Sequence, residues 1–509
     1  MSHLDQPDPS ADQLSRQALA VSAGTATSRI TGLLRDIMVF TFLGISPAMD
    51  ALVLALRLPA VFYRFVIEGG FIRLLIPRLI KAGDPAHYIA QTFWGSLVAI
   101  SGVTLCVWLL LPWIAPLLAP GFDDSQRALA VQLLEVILFY LPLATMIGYC
   151  AAILNSRSHY LAPAYMQVIV NLSIAGAVLV LVGWVRPPHL VVVGAMVAGA
   201  VLQLLLLLGV LKRLNALPAI GLSLKNPALL SLLRGIVLVV CITMPQQVGI
   251  WISFGIGSSI EPGSPSRLYL AERLIHLPMA VIGMAIATVV LPVLTRQNAS
   301  QIFAKTLDWS IQAATLLSIP ATVGLWLISD QLLHVLFAWR EIHEEDLAQI
   351  LIIIYSMLIA IPFSMVVQIL YTSYYSRQQY SVIFFCALGG MLTLSVATWT
   401  LAIHAGLGAM GVGLGSSLGT VALALCLMAV SIYRSQWRPD VGHWLRMLFL
   451  VAIATGAMAL VVIQIRSFLA SWLPLTLLIL TEIVVAVSVY FALLKSMGIT
   501  LTGSKRKKL

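Results

Sequence analysis

The chain has 509 residues, of which 60% are hydrophobic and only 10% are charged. Ordinary soluble domains contain about 25% charged residues, so this composition excludes a water-soluble globular protein and a disordered chain. The five cysteines stand singly in apolar stretches without CxxC or metal-ligand spacing, which indicates small buried side chains. The composition predicts an all-α polytopic membrane protein.

Apolar stretches of about 20 residues, the length at which a helix crosses a bilayer, recur along the chain. They predict about fourteen transmembrane helices, near residues 18–43, 51–76, 91–117, 128–152, 162–184, 190–211, 228–256, 268–293, 306–329, 347–373, 380–403, 409–433, 443–465 and 471–494. Residues 1–15 are expected to form a cytoplasmic N-terminal tail rather than a signal peptide, and residues 497–509 a basic cytoplasmic tail.

The loops between these spans differ in their content of Lys and Arg. One alternate set carries most of the basic residues, Arg78, Arg157, Arg213 and Arg377 among them. The positive-inside rule assigns that set to the cytoplasm, and an even number of spans then places both termini inside. The net charge of +10 is explained by these loops, so no nucleic-acid partner is expected.

Short motifs recur about 215–220 residues apart, which indicates an internal repeat. Ile76-Pro77-Arg78-Leu79 is matched by Leu291-Pro292-Val293-Leu294, and Asn155-Ser156-Arg157 by Tyr375-Ser376-Arg377. The repeat predicts two six-helix lobes, an N-lobe over 16–222 (spans 1–6) and a C-lobe over 223–438 (spans 7–12). Residues 439–496 form spans 13 and 14 outside the repeat. Parallel repeats of this kind are typical of transporters whose site lies between the halves.

Charged residues inside the predicted spans concentrate on spans 1, 2 and 8. An Arg at the centre of a membrane helix costs about 2.5–3.5 kcal/mol on insertion scales, so these groups need water or a partner. In span 2, Asp50, Arg57 and Arg64 are seven residues apart and Glu68 follows four later, which places all four on one helical stripe. The candidate substrate-binding residues are Arg29, Arg35, Asp50, Arg57, Arg64, Glu68, Glu272 and Arg273.

The excess of arginine over acids predicts an aqueous, cationic cavity for an anion, and the guanidinium fork suits phosphate. Structural ion pairing is the alternative role for Arg35 with Asp36 and for Glu272. His276 is interpreted as a packing residue, with a proton relay as the alternative. Glu482 is expected to pair with Arg446 or Arg466, to contact substrate, or to be neutral and hydrogen-bonded between helices.

The charged segments resemble one transporter family. The match to the start of the MurJ (MviN) lipid II flippases, members of the MOP transporter superfamily, lies in Ser28-Arg29-Ile30-Thr31-Gly32-Leu33-Leu34-Arg35-Asp36, Asp50-Ala51, Arg57-Leu58-Pro59, Arg64 and Glu68-Gly69. Later motifs of the family are similar to Ala271-Glu272-Arg273-Leu274, Leu291-Pro292 and Tyr375-Ser376-Arg377-Gln378. The resemblance extends over nearly the whole chain.

This resemblance implies a lipid flippase of the bacterial inner membrane that serves peptidoglycan synthesis and cell shape by alternating access, and not an enzyme. The implied substrate is lipid II, an undecaprenyl-diphosphate-linked disaccharide-peptide; membrane lipids and cell-wall synthesis enzymes are the implied partners. It also implies a lipid-tail groove built with residues 439–496. The family's critical residues correspond to Arg29, Arg35, Asp50, Arg64 and Arg273.

The sequence departs from the family pattern at several positions. Tyr63 precedes Arg64 where many members have an Arg pair, Glu272 stands where an Asp is frequent, and His276 replaces a frequent acid. Spans 7 and 11 contain none of the acids proposed to bind sodium in some members. No metal and no cofactor are therefore expected.

Three alternative functions fit part of the sequence. A polysaccharide-repeat (O-antigen type) lipid flippase would share the anionic lipid. A MATE-type exporter of cationic drugs is disfavoured because the predicted cavity is rich in arginine. A membrane glycosyltransferase would need a catalytic acid on a sizeable outer loop, and all the predicted loops are short.

Overall fold

The computed structural model describes residues 11–63, 71–81, 85–219, 221, 227–279, 300–337, 343–434 and 437–498. Within these ranges the regular structure is entirely helical. The helices in chain order are α1 (Ala11–Leu43), α2 (Pro47–Tyr63), α3 (Phe71–Lys81), α4 (Pro85–Leu118), α5 (Asp124–Ile137), α6 (Tyr140–Ser156), α7 (Leu161–Leu181), α8 (His189–Arg213), α9 (Pro227–Ser258), α10 (264–279), α11 (Ser300–Phe337), α12 (Glu344–Met357), α13 (Ala360–Ser376), α14 (Tyr380–Trp399, continued by a π-helical turn over Thr400–His404), α15 (Gly408–Tyr433), α16 (Val441–Leu469) and α17 (Leu475–Ser496).

The helices confirm a multi-pass, all-helical membrane protein. Among the described residues, 10 helices are long and apolar enough to cross a membrane, with α5 and α6 counted together as one span (Asp124–Ser156), or up to 11 if the bent pair α12–α13 is also one span. Three predicted spans, 18–43, 51–76 and 268–293, have no counterpart among these membrane-capable helices. These three spans carry the clustered charges. Residues 64–70 of the second of these spans and residues 280–293 of the third lie outside the described part of the chain. The count of fourteen therefore stays a prediction.

The turn between α1 and α2 places the first acid of the candidate site. Gly44 has a φ of 70°, and its N–H donates to the Phe40 carbonyl at 2.8 Å, which ends α1. Ser46 then caps α2, because its hydroxyl accepts from the Met49 N–H at 3.1 Å. Asp50 thus lies in the first turn of α2, where the helix dipole favours a carboxylate.

The chain divides into two compact units, residues 1–244 and 245–509. In the first unit, α6 is largely buried and packs against α3, α4 and α8. In the second unit, α15 packs closely against α14: a Cβ added at Gly419 would lie 2.4 Å from the Leu394 Cβ. Small residues permit such close helix contacts in membranes, where chain packing replaces the hydrophobic driving force.

Helix bounds repeat along the chain in support of the predicted internal repeat. The bounds of α12 and α13 each fall 220 residues after those of α5 and α6. The turns that follow also correspond, because Ser158 and Gln378 have φ values of 61° and 56°. Each unit therefore contains the same local pattern: two consecutive helices of matching length followed by a turn with a residue of positive φ.

Candidate substrate site and an apolar groove

Arg35 is held in a hydrogen-bonded network between α1 and α7. Its Nη2 and Nε donate to Oδ1 of Asp36 at 2.7 and 3.0 Å, and its Nη1 donates to Oδ1 of Asn171 at 3.1 Å. The side chains of Arg35 and Asp36 are only 14% and 8% exposed. Three of the guanidinium's five N–H bonds therefore point at the protein. The structure forms the Arg35–Asp36 ion pair that the sequence leaves open as an alternative.

Asn171 is a site residue that the sequence analysis missed. It is buried on α7, and its Nδ2 donates to the Ser28 carbonyl at 3.1 Å and to the Thr31 hydroxyl at 3.2 Å. Gly32 lets the two helices approach here, since a Cβ at that position would lie 3.3 Å from Nδ2 of Asn171. The available signal was the one Asn in a mainly apolar span, a residue type that hydrogen-bonds across membrane helices.

Arg29 differs from Arg35 in its surroundings. Arg29 lies on a different face of α1 from Arg35. It is exposed and has no hydrogen bond or ion pair to any other described residue. Arg29 and Asp36 are seven residues apart and share one face of α1. Since its guanidinium makes no bond to the described residues, Arg29 is better able than Arg35 to bind an external anion.

The charges on α2 are buried. Asp50 is 1% and Arg57 is 7% exposed, and their seven-residue spacing along α2 places them on one face, as predicted. Charged groups withdrawn from water in this way are stable only when they are paired or solvated internally. Arg64 and Glu68, which extend the predicted stripe, lie outside the described residues.

In the second unit, Arg273 is oriented by an aromatic residue one helical turn earlier. Its Nη2 donates to the Tyr269 hydroxyl at 2.5 Å, and its Cζ lies 4.6 Å from the centroid of that ring. Arg273 and Glu272 are both half-buried on α10, whereas His276 is exposed. Tyr269 is a second residue that sequence reasoning missed, because a Tyr at helical spacing is indistinguishable from ordinary packing.

The second unit also contains an apolar groove of about 420 Å³ between α10, α11, α16 and α17. Its walls are mainly aliphatic and aromatic, with Leu325, Ile328, Val487 and Phe491 among the lining residues. The volume lies in the range of ligand-binding sites in proteins, about 300–1,000 Å³. The groove is built in part from the two helices within 439–496, the segment expected to hold a lipid tail.

A buried ion pair lies beside this groove. Glu482, which lines it, is 0% exposed and accepts from Nε and Nη2 of Arg466 at 2.9 and 2.8 Å. Nε2 of Gln331 donates to the same carboxylate at 3.1 Å, and Arg466 also donates to the Leu327 carbonyl at 2.7 Å. The partner of Glu482 is therefore Arg466, one of the candidates left open by the sequence.

Two further polar contacts attach the last two helices to α11. The Tyr490 hydroxyl on α17 donates to the Leu316 carbonyl at 2.6 Å. Oδ1 of Asp308 accepts from the indoles of Trp437, just before α16, and Trp444, in its first turn, at 2.8 and 2.9 Å. Together with the Arg466–Glu482 pair, these contacts hold α16 and α17 at three levels along α11.

The described residues contain no group of three or more His, Cys, Asp or Glu side chains arranged to hold a metal ion. The described side chains at the candidate site offer guanidinium donors, carboxylates, the Asn171 amide and the Tyr269 hydroxyl. Such groups bind and orient an anion by hydrogen bonding and charge.

The chain is similar in sequence to known lipid II flippases. The family model described as "Lipid II flippase MurJ" matches residues 39–482. The lipid II flippase MurJ of Burkholderia cenocepacia is 25% identical, with 88% of this chain and 89% of the relative covered. A probable lipid II flippase MurJ of Vibrio cholerae serotype O1 is 26% identical, with 97% of this chain and 98% of the relative covered.

Solved structures show the same fold. A lipid II flippase MurJ in an inward closed conformation superposes with a TM-score of 0.80 at 18% identity, covering 94% of this chain and 98% of that one. An inward-facing MATE-family multidrug transporter of the MOP superfamily reaches 0.69 at 14% identity, covering 82% and 98%. Because the family model spans most of the sequence, the chain belongs to the lipid II flippase MurJ family and is a membrane transporter rather than an enzyme.

Proposed function

We propose that this protein moves lipid II from the cytoplasmic to the outer leaflet of the bacterial inner membrane by alternating access. The observation that carries the proposal is the match to the lipid II flippase family over residues 39–482. The arginines add chemical support, since a lipid diphosphate offers several anionic oxygens to guanidinium donors. The proposed architecture comprises fourteen spans, two six-helix lobes over 16–222 and 223–438, and both termini in the cytoplasm.

The arginines have different roles in this proposal. Arg29, Arg64 and Arg273 bind the diphosphate directly. The guanidinium of Arg29, which is exposed and makes no bond to another described residue, is the feature of the first unit that favours this role. Arg35 is held by Asp36 and Asn171, so it contributes a fixed positive charge and its remaining N–H donors.

The acids and the remaining arginine adjust the charge of the cavity. Asp50 and Arg57 are buried on one face of α2, and Glu272 is half-buried beside Arg273. Together with Glu68, these acids reduce the net positive charge of the cavity. The arginines then bind the diphosphate but still release it.

The groove takes the polyprenyl tail. Burial of an apolar chain stabilises a complex by about 25 cal/mol per Å² of apolar surface removed from water, but a tail that leaves the bilayer loses little water. Shape and packing in the groove therefore determine the affinity for the tail. Membrane lipids and cell-wall synthesis enzymes are the proposed neighbours of the protein.

The test replaces Arg29, Arg64 and Arg273 one at a time by Ala in cells depleted of their own flippase. We expect each variant to reach the membrane and to fail both in growth rescue and in outward exposure of labelled lipid II, because charge-assisted bonds to the diphosphate are lost. Replacement by Lys should rescue partly, as a point charge without the fork.

Arg127 supplies the matched control. It lies outside the candidate site and pairs with Asp124 at 3.1 Å near the start of α5. Its replacement by Ala should leave lipid II exposure unchanged. Normal exposure in all three test variants would contradict the proposed anion site, and export of a cationic drug without lipid II exposure would favour a MATE-type function.

A further inference from the structure

Pro320 interrupts the hydrogen bonding of α11 beside the groove. A proline inside a helix has no N–H, so the carbonyl four residues earlier loses its helical donor. In α11 that carbonyl belongs to Leu316, which is 5% exposed. Within a membrane a freed carbonyl needs a new partner, because lipid offers none.

Tyr490 on α17 supplies that partner. Its hydroxyl donates to the Leu316 carbonyl at 2.6 Å, and its side chain is 2% exposed. Pro320 and Tyr490 both line the groove. The hydroxyl of one lining residue thus replaces the amide N–H that another lining residue lacks, and the bond joins α17 to α11 at the interruption.

This bond and the ion pair at Glu482 fix two points along the α17 wall of the groove. Tyr490 and Glu482 are eight residues apart on α17, about 12 Å along the helix at 1.5 Å per residue. Ile483, Ala486 and Val487 line the groove between them. The spacing of α11 and α17 is therefore held by hydrogen bonds at two positions along the apolar surface that a chain would contact.

We propose that Tyr490 is a positioning residue for the lipid tail: its hydrogen bond to Leu316, which Pro320 makes possible, sets the width of the groove for a long prenyl chain. The inference rests on the proposed lipid-tail function of the groove. Replacement of a residue that serves stability alone would change the affinity for all lipid ligands equally. Replacement of a residue that sets the groove's width would change the affinity for lipids with long prenyl tails selectively.

The experiment uses the purified full-length protein in nanodiscs and two lipid diphosphates with the same headgroup, one farnesyl and one undecaprenyl. The measured quantity is the ratio of their dissociation constants, alongside thermal stability. We expect wild type to prefer the long chain and Tyr490→Phe to reduce that preference about three- to tenfold, the effect of one hydrogen bond. Tyr433→Phe, at an 89% exposed tyrosine, is the matched control and should change nothing.

Pro320→Ala separates groove width from stability. The new N–H at position 320 satisfies the Leu316 carbonyl within α11, so this variant should be as stable as wild type yet lose part of the long-chain preference. For the same reason, adding Tyr490→Phe to Pro320→Ala should lower neither the preference nor the stability much further.

Every outcome bears on the proposal. An unchanged preference in Tyr490→Phe, or fully additive effects of the two substitutions, overturns it. If Tyr490→Phe alone fails to fold while the double variant folds, the result supports the inference that the N–H introduced by Pro320→Ala replaces the Tyr490 hydroxyl as donor to Leu316. If the double variant also fails to fold, Tyr490 serves global stability and the proposal is wrong. A wild-type protein without chain preference would instead refute the tail groove itself, and with it this role of Tyr490.

Discussion

Removal of Arg466 should destabilise the protein more than removal of its partner Glu482. The carboxylate of Glu482 is 0% exposed, whereas the side chain of Arg466 is 30% exposed. Arg466→Met removes two charge-assisted hydrogen bonds and leaves a buried carboxylate whose remaining donor among the described residues is Gln331. Breaking a buried pair in this way costs about 3–5 kcal/mol of unfolding free energy.

The opposite change is milder. Glu482→Gln leaves an arginine that still donates to the Leu327 carbonyl and can be hydrated, so we expect a loss of about 1–2 kcal/mol. The double variant Arg466→Met with Glu482→Leu removes both charges together. It should recover to within about 1–2 kcal/mol of wild type, because no uncompensated buried charge remains.

The assay is unfolding of the purified protein in detergent, followed by tryptophan fluorescence, with all three variants compared at one pH and salt concentration. Equal losses in the two single variants, or a double variant as unstable as Arg466→Met, would refute the reasoning. Equal losses would mean that the exposure of the remaining charged group does not determine the loss of unfolding free energy. An unstable double variant would mean that the two charged side chains stabilise the fold by more than neutralising each other.

Four further predictions follow from single contacts. Asn171→Ala frees Arg35 from α7 and should slow lipid II exposure several-fold at normal protein levels, measured in the cell assay; an unchanged rate would show that Arg35 needs no positioning. Asp308→Asn weakens the charge-assisted bonds to two indoles and should lower the unfolding free energy by about 1–3 kcal/mol, with a shift in tryptophan emission; unaltered emission would argue against these bonds. Gly419→Val forces a side chain into the α14–α15 contact and should cost about 3 kcal/mol or more in thermal unfolding, whereas wild-type stability would mean that the helices separate easily. Donation from the Gln126 N–H and the Ser125 hydroxyl holds the pKa of Asp123 below its ordinary value. The stabilisation of α5 by this cap is therefore complete above about pH 3.9 and is lost as the pH falls through the lower pKa of the folded protein. Hydrogen exchange in the first turn of α5 should rise in that pH window, and Asp123→Ala should abolish this pH dependence.

The sequence by itself was sufficient for the membrane class, most span positions and the location of the charges. These properties depend on local composition, since a stretch of about 20 apolar residues has to form a helix in lipid whatever surrounds it. The internal repeat stays a prediction of the sequence; the 220-residue offset between the bounds of α5 and α6 and those of α12 and α13 supports it. The charged spans were the least certain for the same reason: Arg29, Arg35 and Asp36 reduce the apolar signal of α1.

Tertiary structure decided which of the charged residues are committed to the protein. Arg35 and Arg29 look alike in sequence, yet one is paired with Asp36 and Asn171 and the other is exposed. Glu482 had several conceivable partners, and only folding brings Arg466 and Gln331 to it. Asn171 is 136 residues from Arg35 in sequence, and Tyr490 is 174 residues from Leu316. Periodicity assigns a residue to a face of its own helix, but the identity of the facing helix depends on packing between distant segments, which no local pattern encodes.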